Sequence, residues 1–162
     1  MVWRVINVDD IQKIYKMLNW ENSYETRTEG FRLAKQINNL SLLIMPPAAP
    51  SVWEGCAQVL CEKPDIVLEP YLDSLLEWLQ DLNWPGALLI LERLKIFSGK
   101  MLKNPFMACF TRANNLNNEE GLMWLDYLSE LLDNEELKVA LPKPIIEKLQ
   151  KHYKNWGFWY DD

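Results

Sequence analysis

Glycine is scarce, with 6 in 162 residues, histidine occurs once, and the cysteines number only 3. So little glycine argues against a turn-rich all-β chain. The lone histidine, His152, lies in a lysine-rich segment expected to form an exposed helix, and no GxSxG, HExxH, Walker A or GxGxxG arrangement accompanies it. Ready-made nucleophile, zinc and nucleotide sites are therefore missing from the sequence, and no catalytic, metal or cofactor residue is assigned. Cys56 and Cys61 are five apart on one expected helix, a spacing that meets neither disulfide geometry nor a CxxC metal motif. They read as core thiols in a reducing compartment. Long apolar runs are missing as well. MVWRVINVDD lacks the core of a signal peptide, and residues 42–45 run straight into prolines, too soon to span a bilayer. The expected location is the cytoplasm, with no membrane partner.

What is present is enough for a core. Hydrophobic residues make up 49% of the chain, and 8 Trp, 6 Tyr and 5 Phe supply large surfaces to bury. One domain over residues 1–162 is expected, with a sub-boundary candidate at the proline-rich stretch 45–50. Ile11, Ile14, Tyr15 and Leu18 form one helical face after Asp9-Asp10. Asn22 with Glu25, and Ser51 with Glu54, have the spacing of capping boxes that open the next two helices. Pro70 suits a first helical turn, and Leu72, Leu75, Leu76, Leu79 and Leu82 then predict the cleanest helix of the chain. Further helices are expected after Pro85, from Asn104-Pro105, from Asn117 with Glu120, and after Pro142 and Pro144. The periodicities add up to an all-α chain of about eight helices.

A shift of 64 residues lays MLNW (17–20) on DLNW (81–84) and carries the apolar face of the first helix onto Leu75, Trp78, Leu79 and Leu82. This marks a recurring helix–corner–helix unit and predicts an irregular α-solenoid of stacked hairpins, HEAT/armadillo-like. Asn83-Trp84-Pro85 would be such a corner, with Asn ending one helix and Pro starting the next. Trp84 is the alternative case: an exposed aromatic anchor for a partner.

The run EWLQDLNWPGA, with ETRTEGFRLAKQINNLSLLI and VWEGCAQVL upstream, resembles an uncharacterised bacterial family whose hallmark is Glu-Trp-Leu-Gln-Asp-x-Asn-Trp-Pro. The resemblance covers residues 22–97. It implies a HEAT-like helical protein, in some members an immunity or accessory protein encoded near bacterial toxin systems. It brings no catalytic residue with it.

Charge is distributed in blocks. Acids dominate residues 54–92 against Lys63 alone; residues 93–118 carry Arg93, Lys95, Lys100, Lys103 and Arg112 without an acid; residues 119–136 are acidic without a base. Within the first block, Asp73, Glu77 and Asp81 repeat every fourth residue on the polar side of the expected helix. Like charges so spaced disfavour the helix slightly unless a cation lies alongside. The cation is either the 93–103 segment of the same chain or a basic partner. The candidate partner-binding residues are accordingly Asp73, Glu77, Asp81 and Trp84, and the expected function is non-enzymatic binding of a basic protein. An enzyme or small-ligand binder using carboxylates in a concave groove is the alternative, with Asp126 and Glu130 one turn apart as its carboxylate pair. Lys143, Lys148, Lys151 and Lys154 ahead of Trp156, Phe158, Trp159 and Tyr160 would suit nucleic acid. An isoelectric point near 4.9 opposes that reading.

Overall fold

Helix boundaries in this chain are set by short polar side chains that satisfy the orphan backbone groups of each helix end. Asn7 caps α1 (Val8–Leu18): its Oδ1 accepts from the Asp10 backbone N at 2.9 Å, and Asp10 answers the Asn7 N. The computed structural model describes residues 7–157, with side chains from 7 to 152. The expectation for Lys154, Trp156, Phe158, Trp159 and Tyr160 lies outside the described side chains. Ile11, Ile14, Tyr15 and Leu18 are buried, as their spacing requires. Ser23, not Asn22, caps α2 (Tyr24–Ala34), accepting from Thr26 N at 3.2 Å. Asn22 instead reaches back to close α1, its Nδ2 donating to the Met17 carbonyl at 3.2 Å.

After a 3-10 turn at Leu40–Leu43, residues 45–49 pass the corner without helix. Trp53 Nε1 donates to the Pro46 carbonyl there at 3.0 Å. A second 3-10 turn, Pro50–Val52, leads into α3 (Trp53–Cys61) with no side-chain cap from Ser51. The helix expected to run unbroken from Pro70 is in pieces: α4 (Asp65–Leu68), a 3-10 turn Glu69–Tyr71, α5 (Leu72–Glu77) and a 3-10 turn Trp78–Gln80. Pro70 has no N–H for the Ile66 carbonyl, which interrupts the ladder. Leu72, Leu75, Leu76 and Leu79 are nonetheless all buried, joined by Trp78. Beyond the corner come α6 (Ala87–Lys95) and α7 (Gly99–Asn115). Asn104 does not start a helix: Ser98 caps α7, and Pro105 sits inside it. Asn118 caps α8 (Glu119–Ser129), with Asn117 in the left-handed region at φ 50°. A 3-10 turn Glu130–Asp133, α9 (Glu135–Ala140) and α10 (Lys143–Gly157) complete the order. Among the described residues all regular structure is helical, and none of these helices is long and apolar enough to cross a membrane.

Long-range hydrogen bonds tie the ends of successive helices together. Lys63 Nζ donates to the Lys35 carbonyl (3.0 Å), Arg93 donates to the Lys63 carbonyl (2.9 Å), and Asn134 Nδ2 donates to the carbonyls of Leu94 (3.0 Å) and Phe97 (2.9 Å). Ion pairs run parallel to these bonds: Lys35–Glu62, Arg93–Asp65 and Lys95–Asp133. These side chains thus satisfy carbonyls at the ends of α2, α3 and α6. Elsewhere Trp20 N donates to the Ser51 carbonyl, and Gly86 N to Glu54 Oε2 at 2.8 Å. In the packing of the helices, α3 lies against α6, and α6 against the turn that prolongs α8, while α5 lies against α7.

Candidate functional site

The three carboxylates of the expected ridge do not form one surface. Asp73 is exposed on α5. Glu77, one turn on, pairs with Arg112 of α7 at 2.8 Å, and the Arg112 guanidinium lies 5.8 Å over the Trp124 ring. Asp81 lies past the helix in extended backbone (φ −145°, ψ 110°), where its Oδ1 accepts from Asn83 N at 2.8 Å. This is an Asx turn, which uses the carboxylate to shape the corner. The ridge therefore ends at Glu77, because the 3-10 turn Trp78–Gln80 removes the helical register that would carry Asp81. The cation beside Glu77 comes from Arg112, outside the 93–103 segment expected to supply it. Arg93 and Lys95 are engaged elsewhere, with Asp65 and with Glu92 and Asp133.

Trp84 belongs to a packed corner. It is half-buried and meets Trp53 edge-on at 6.1 Å; Trp53 in turn meets Trp78 edge-on at 6.2 Å. Trp78 is fully buried, and its Nε1 donates to the Pro85 carbonyl at 3.0 Å. Gly86 follows with φ 85°, and a Cβ on it would come within 2.8 Å of Ala57 Cβ and of the Trp78 ring. Only glycine combines that backbone with that approach. Indole edges, an Asx turn and a left-handed glycine account for Trp78, Asp81, Trp84 and Gly86 by packing.

A different region gathers carboxylates beside a hollow. The groove between the end of α8 and α10 has a volume of about 610 Å³ and is lined by Lys95, Ser129, Glu130, Leu132, Asp133 and Leu149, among others. Leu149 is fully buried beneath it, and Leu132, partly buried, is an apolar residue that the groove exposes. Two acids, Glu130 and Asp133, line the groove as well. Lys95 is the one cation lining it among the described residues, and its Nζ is divided between Glu92 Oε1 (3.1 Å) and Asp133 Oδ2 (3.5 Å). Burial raises the Glu130 carboxyl above its ordinary range; Lys95 opposes this, and Asp126, Asp133 and Glu92 add to it. Asp126 is raised too, first by burial, with His152 pulling the other way. The Asp126 Oδ1 is buried without a hydrogen-bond donor among the described residues. No group of three or more His, Cys, Asp or Glu among the described residues could hold a metal ion. The acids that line the groove, Glu130 and Asp133, lie together on the turn Glu130–Asp133.

Other reactive groups are held in check. Burial pushes the Cys56 and Cys109 thiols up to about 12 and Cys61 up to about 11, so all three stay protonated and poorly nucleophilic. His152 places its Nε2 3.0 Å from the Leu122 carbonyl, joining α10 to α8.

Residues 56–155 match the family described as a Domain of unknown function (DUF5071). The chain belongs to this family. The DUF5071 region takes in the 78–86 corner, the broken ridge and every groove residue named above, and leaves α1, α2 and the 45–50 stretch outside. The resemblance read over residues 22–97 thus overlaps the family match only from 56 onward, and the match continues into α10. No curated protein and no solved structure matches the chain.

The raised carboxyls in the DUF5071 region have a consequence for stability. A carboxyl whose folded pKa lies above its unfolded value holds its proton more tightly in the native state, so its contribution to stability is full at low pH and is lost as pH rises through the raised value. For Asp126 and Glu130 this window begins at the ordinary values of 3.8 and 4.5 and extends upward. Asp126→Asn is expected to flatten that part of the pH dependence and to be at least as stable as wild type at neutral pH. Urea midpoints of both proteins at several pH values check this; an unchanged slope contradicts it.

Proposed function

We propose that the chain is a non-enzymatic protein-binding module, an irregular α-solenoid of the HEAT/armadillo-like kind, which holds a basic segment of a partner protein in the groove between α8 and α10. The hydrogen bonds between helix ends, through Lys63, Arg93 and Asn134, support the solenoid reading. So does the packing of helices that are not chain neighbours, α3 on α6 and α5 on α7. The observation that carries the binding reading is the groove's charge: Glu130 and Asp133 line it together with the single ammonium of Lys95, which Glu92 also draws on. A partner's cations would relieve the mutual repulsion that Glu130 feels from Asp126, Asp133 and Glu92. They would also steer association. Leu132, which is only partly buried, would receive the apolar parts of the same segment. Such a partner suits an immunity or accessory protein that occupies a basic domain.

Asp73 is the rival surface, so the test sets the two against each other. A fluorescent peptide of alternating arginine and leucine is titrated by anisotropy into wild type, Glu130→Lys/Asp133→Lys and Asp73→Lys. The groove double variant is expected to weaken binding by at least about tenfold, with Asp73→Lys close to wild type. If Asp73→Lys causes the loss and the groove variant does not, the ridge is the site. Circular dichroism and urea midpoints establish that each variant is folded.

An acid–base enzyme is the second reading, favoured by the raised carboxyls of Asp126 and Glu130 in and beside the groove. It predicts turnover that disappears in Glu130→Gln, whereas the binding reading predicts that this variant only weakens the peptide.

A further inference from the structure

We infer that Lys95 is a built-in competitor for the groove, occupying with its own ammonium the place that an arginine of the bound segment takes. The inference rests on the groove reading above. Lys95 closes the carboxyl end of α6, a position where a cation is favoured by the helix dipole, and its side chain is only 22% exposed. The two acids it serves are far more open, at 67% for Glu92 and 75% for Asp133. The stem of Lys95 is thus packed against the groove wall, while the two carboxylates its ammonium serves face solvent. The two contacts are unequal. Glu92 is on the same helix, three residues back, and receives a hydrogen bond at 3.1 Å; Asp133 belongs to the facing turn and lies at 3.5 Å. Asp133 is the contact that yields, since Lys95 keeps Glu92 when Asp133 turns to an incoming cation.

Glu130 and Asp133 are three residues apart on one turn, so both carboxylates are available on one side of it. A guanidinium, planar and with several donors, fits such a pair better than an ammonium point charge does. Binding is then an exchange: Asp133 leaves Lys95, Glu130 gains a counter-ion in addition to Lys95, and the apolar stem of the ligand lies toward Leu132. In the free protein Lys95 masks part of the acidic wall, which lowers affinity for isolated cations while leaving a segment with several arginines able to displace it.

The test titrates the labelled arginine–leucine peptide into wild type, Lys95→Met, Lys95→Arg and Lys103→Met. Lys103→Met makes the same change of net charge at a lysine of α7 outside the groove, and so measures the general electrostatic effect. Lys95→Met is expected to bind about fivefold tighter than wild type, with Lys103→Met within about twofold of it and Lys95→Arg no tighter than wild type. If wild type binds and Lys95→Met gains no more than Lys103→Met, the competitor role is overturned while the groove reading stands. If no protein of the set binds the peptide, the groove reading itself fails and takes this inference with it. Lys95→Arg guards against misfolding, because it keeps the charge and the ion pairs that hold the corner.

Discussion

Replacing Trp78 by alanine is expected to cost about 3–5 kcal/mol of folding stability, the range for deleting a large aromatic from a packed core. Trp78 is completely buried, its ring meets Trp53 edge-on, and its Nε1 donates to the Pro85 carbonyl. The loss has three sources: the transfer free energy of the indole, the cavity left against Ala57 and Gly86, and a carbonyl deprived of its donor. Trp78→Phe separates them, since it keeps most of the ring but not the donor, and it is expected to cost less than half as much. Urea unfolding with an unchanged m-value is the measurement. A midpoint for Trp78→Ala within about 1 kcal/mol of wild type would mean that the corner is not held by this side chain.

Gly99→Ala is expected to cost about 3 kcal/mol, the upper part of the range for overpacking. Gly99 opens α7 directly behind the Ser98 cap, where a Cβ would collide with backbone atoms of Leu137 and Glu136 and would stand 2.9 Å from Glu136 Cβ. Backbone cannot rotate away as a side chain can, so α7 and α9 must separate. Separation also strains the bond from Lys100 N to Glu136 (3.2 Å) and those that Asn134 makes to the end of α6. Gly55→Ala is the matched control: its nearest neighbours would be at 3.3 Å or beyond, and a small effect of either sign is expected. If the two substitutions prove equal, the close approach of α7 to α9 is wrong.

These glycines show what local pattern conveys and what it does not. The face of α1 and the leucines of α5 follow from helical spacing alone, because burial of a stripe is a local property of a periodic segment. The 78–86 corner was legible as a corner from Asn83 and Pro85, but the fit of Trp78 and Gly86 against α3 depends on residues about 30 positions away. Pro105 misled for a related reason. Asn-Pro is a good helix start, yet Ser98 and Gly99 begin the helix a turn and a half earlier, and tertiary packing of Leu102, Phe106, Cys109 and Phe110 holds a proline within it.

The acidic stripe failed as a continuous ridge because register was assumed to persist through residue 81, whereas the helix tightens after Glu77. The ion partner of Glu77, Arg112, is 35 residues distant, and no rule of spacing points to it. The groove was fainter still. Asp126 and Glu130 stood out as a pair of acids one turn apart, but the hollow beside them is made by Lys95 from α6, the turn after α8 and Leu149 from α10. Only the fold brings those three parts together, so charge pattern indicated an acidic surface without locating it.

The central claim is that the functional surface is the α8–α10 groove, and amide chemical-shift mapping tests it most directly. A ¹⁵N-labelled wild-type chain is titrated with the arginine–leucine peptide at low salt. The expected result is a contiguous set of saturable shifts at Lys95, Ser129, Glu130, Leu132, Asp133, Leu149 and Gln150, which diminish together as salt is raised. Shifts centred on Asp73, Asp81 and Trp84, or scattered over every acidic residue without saturation, would contradict it.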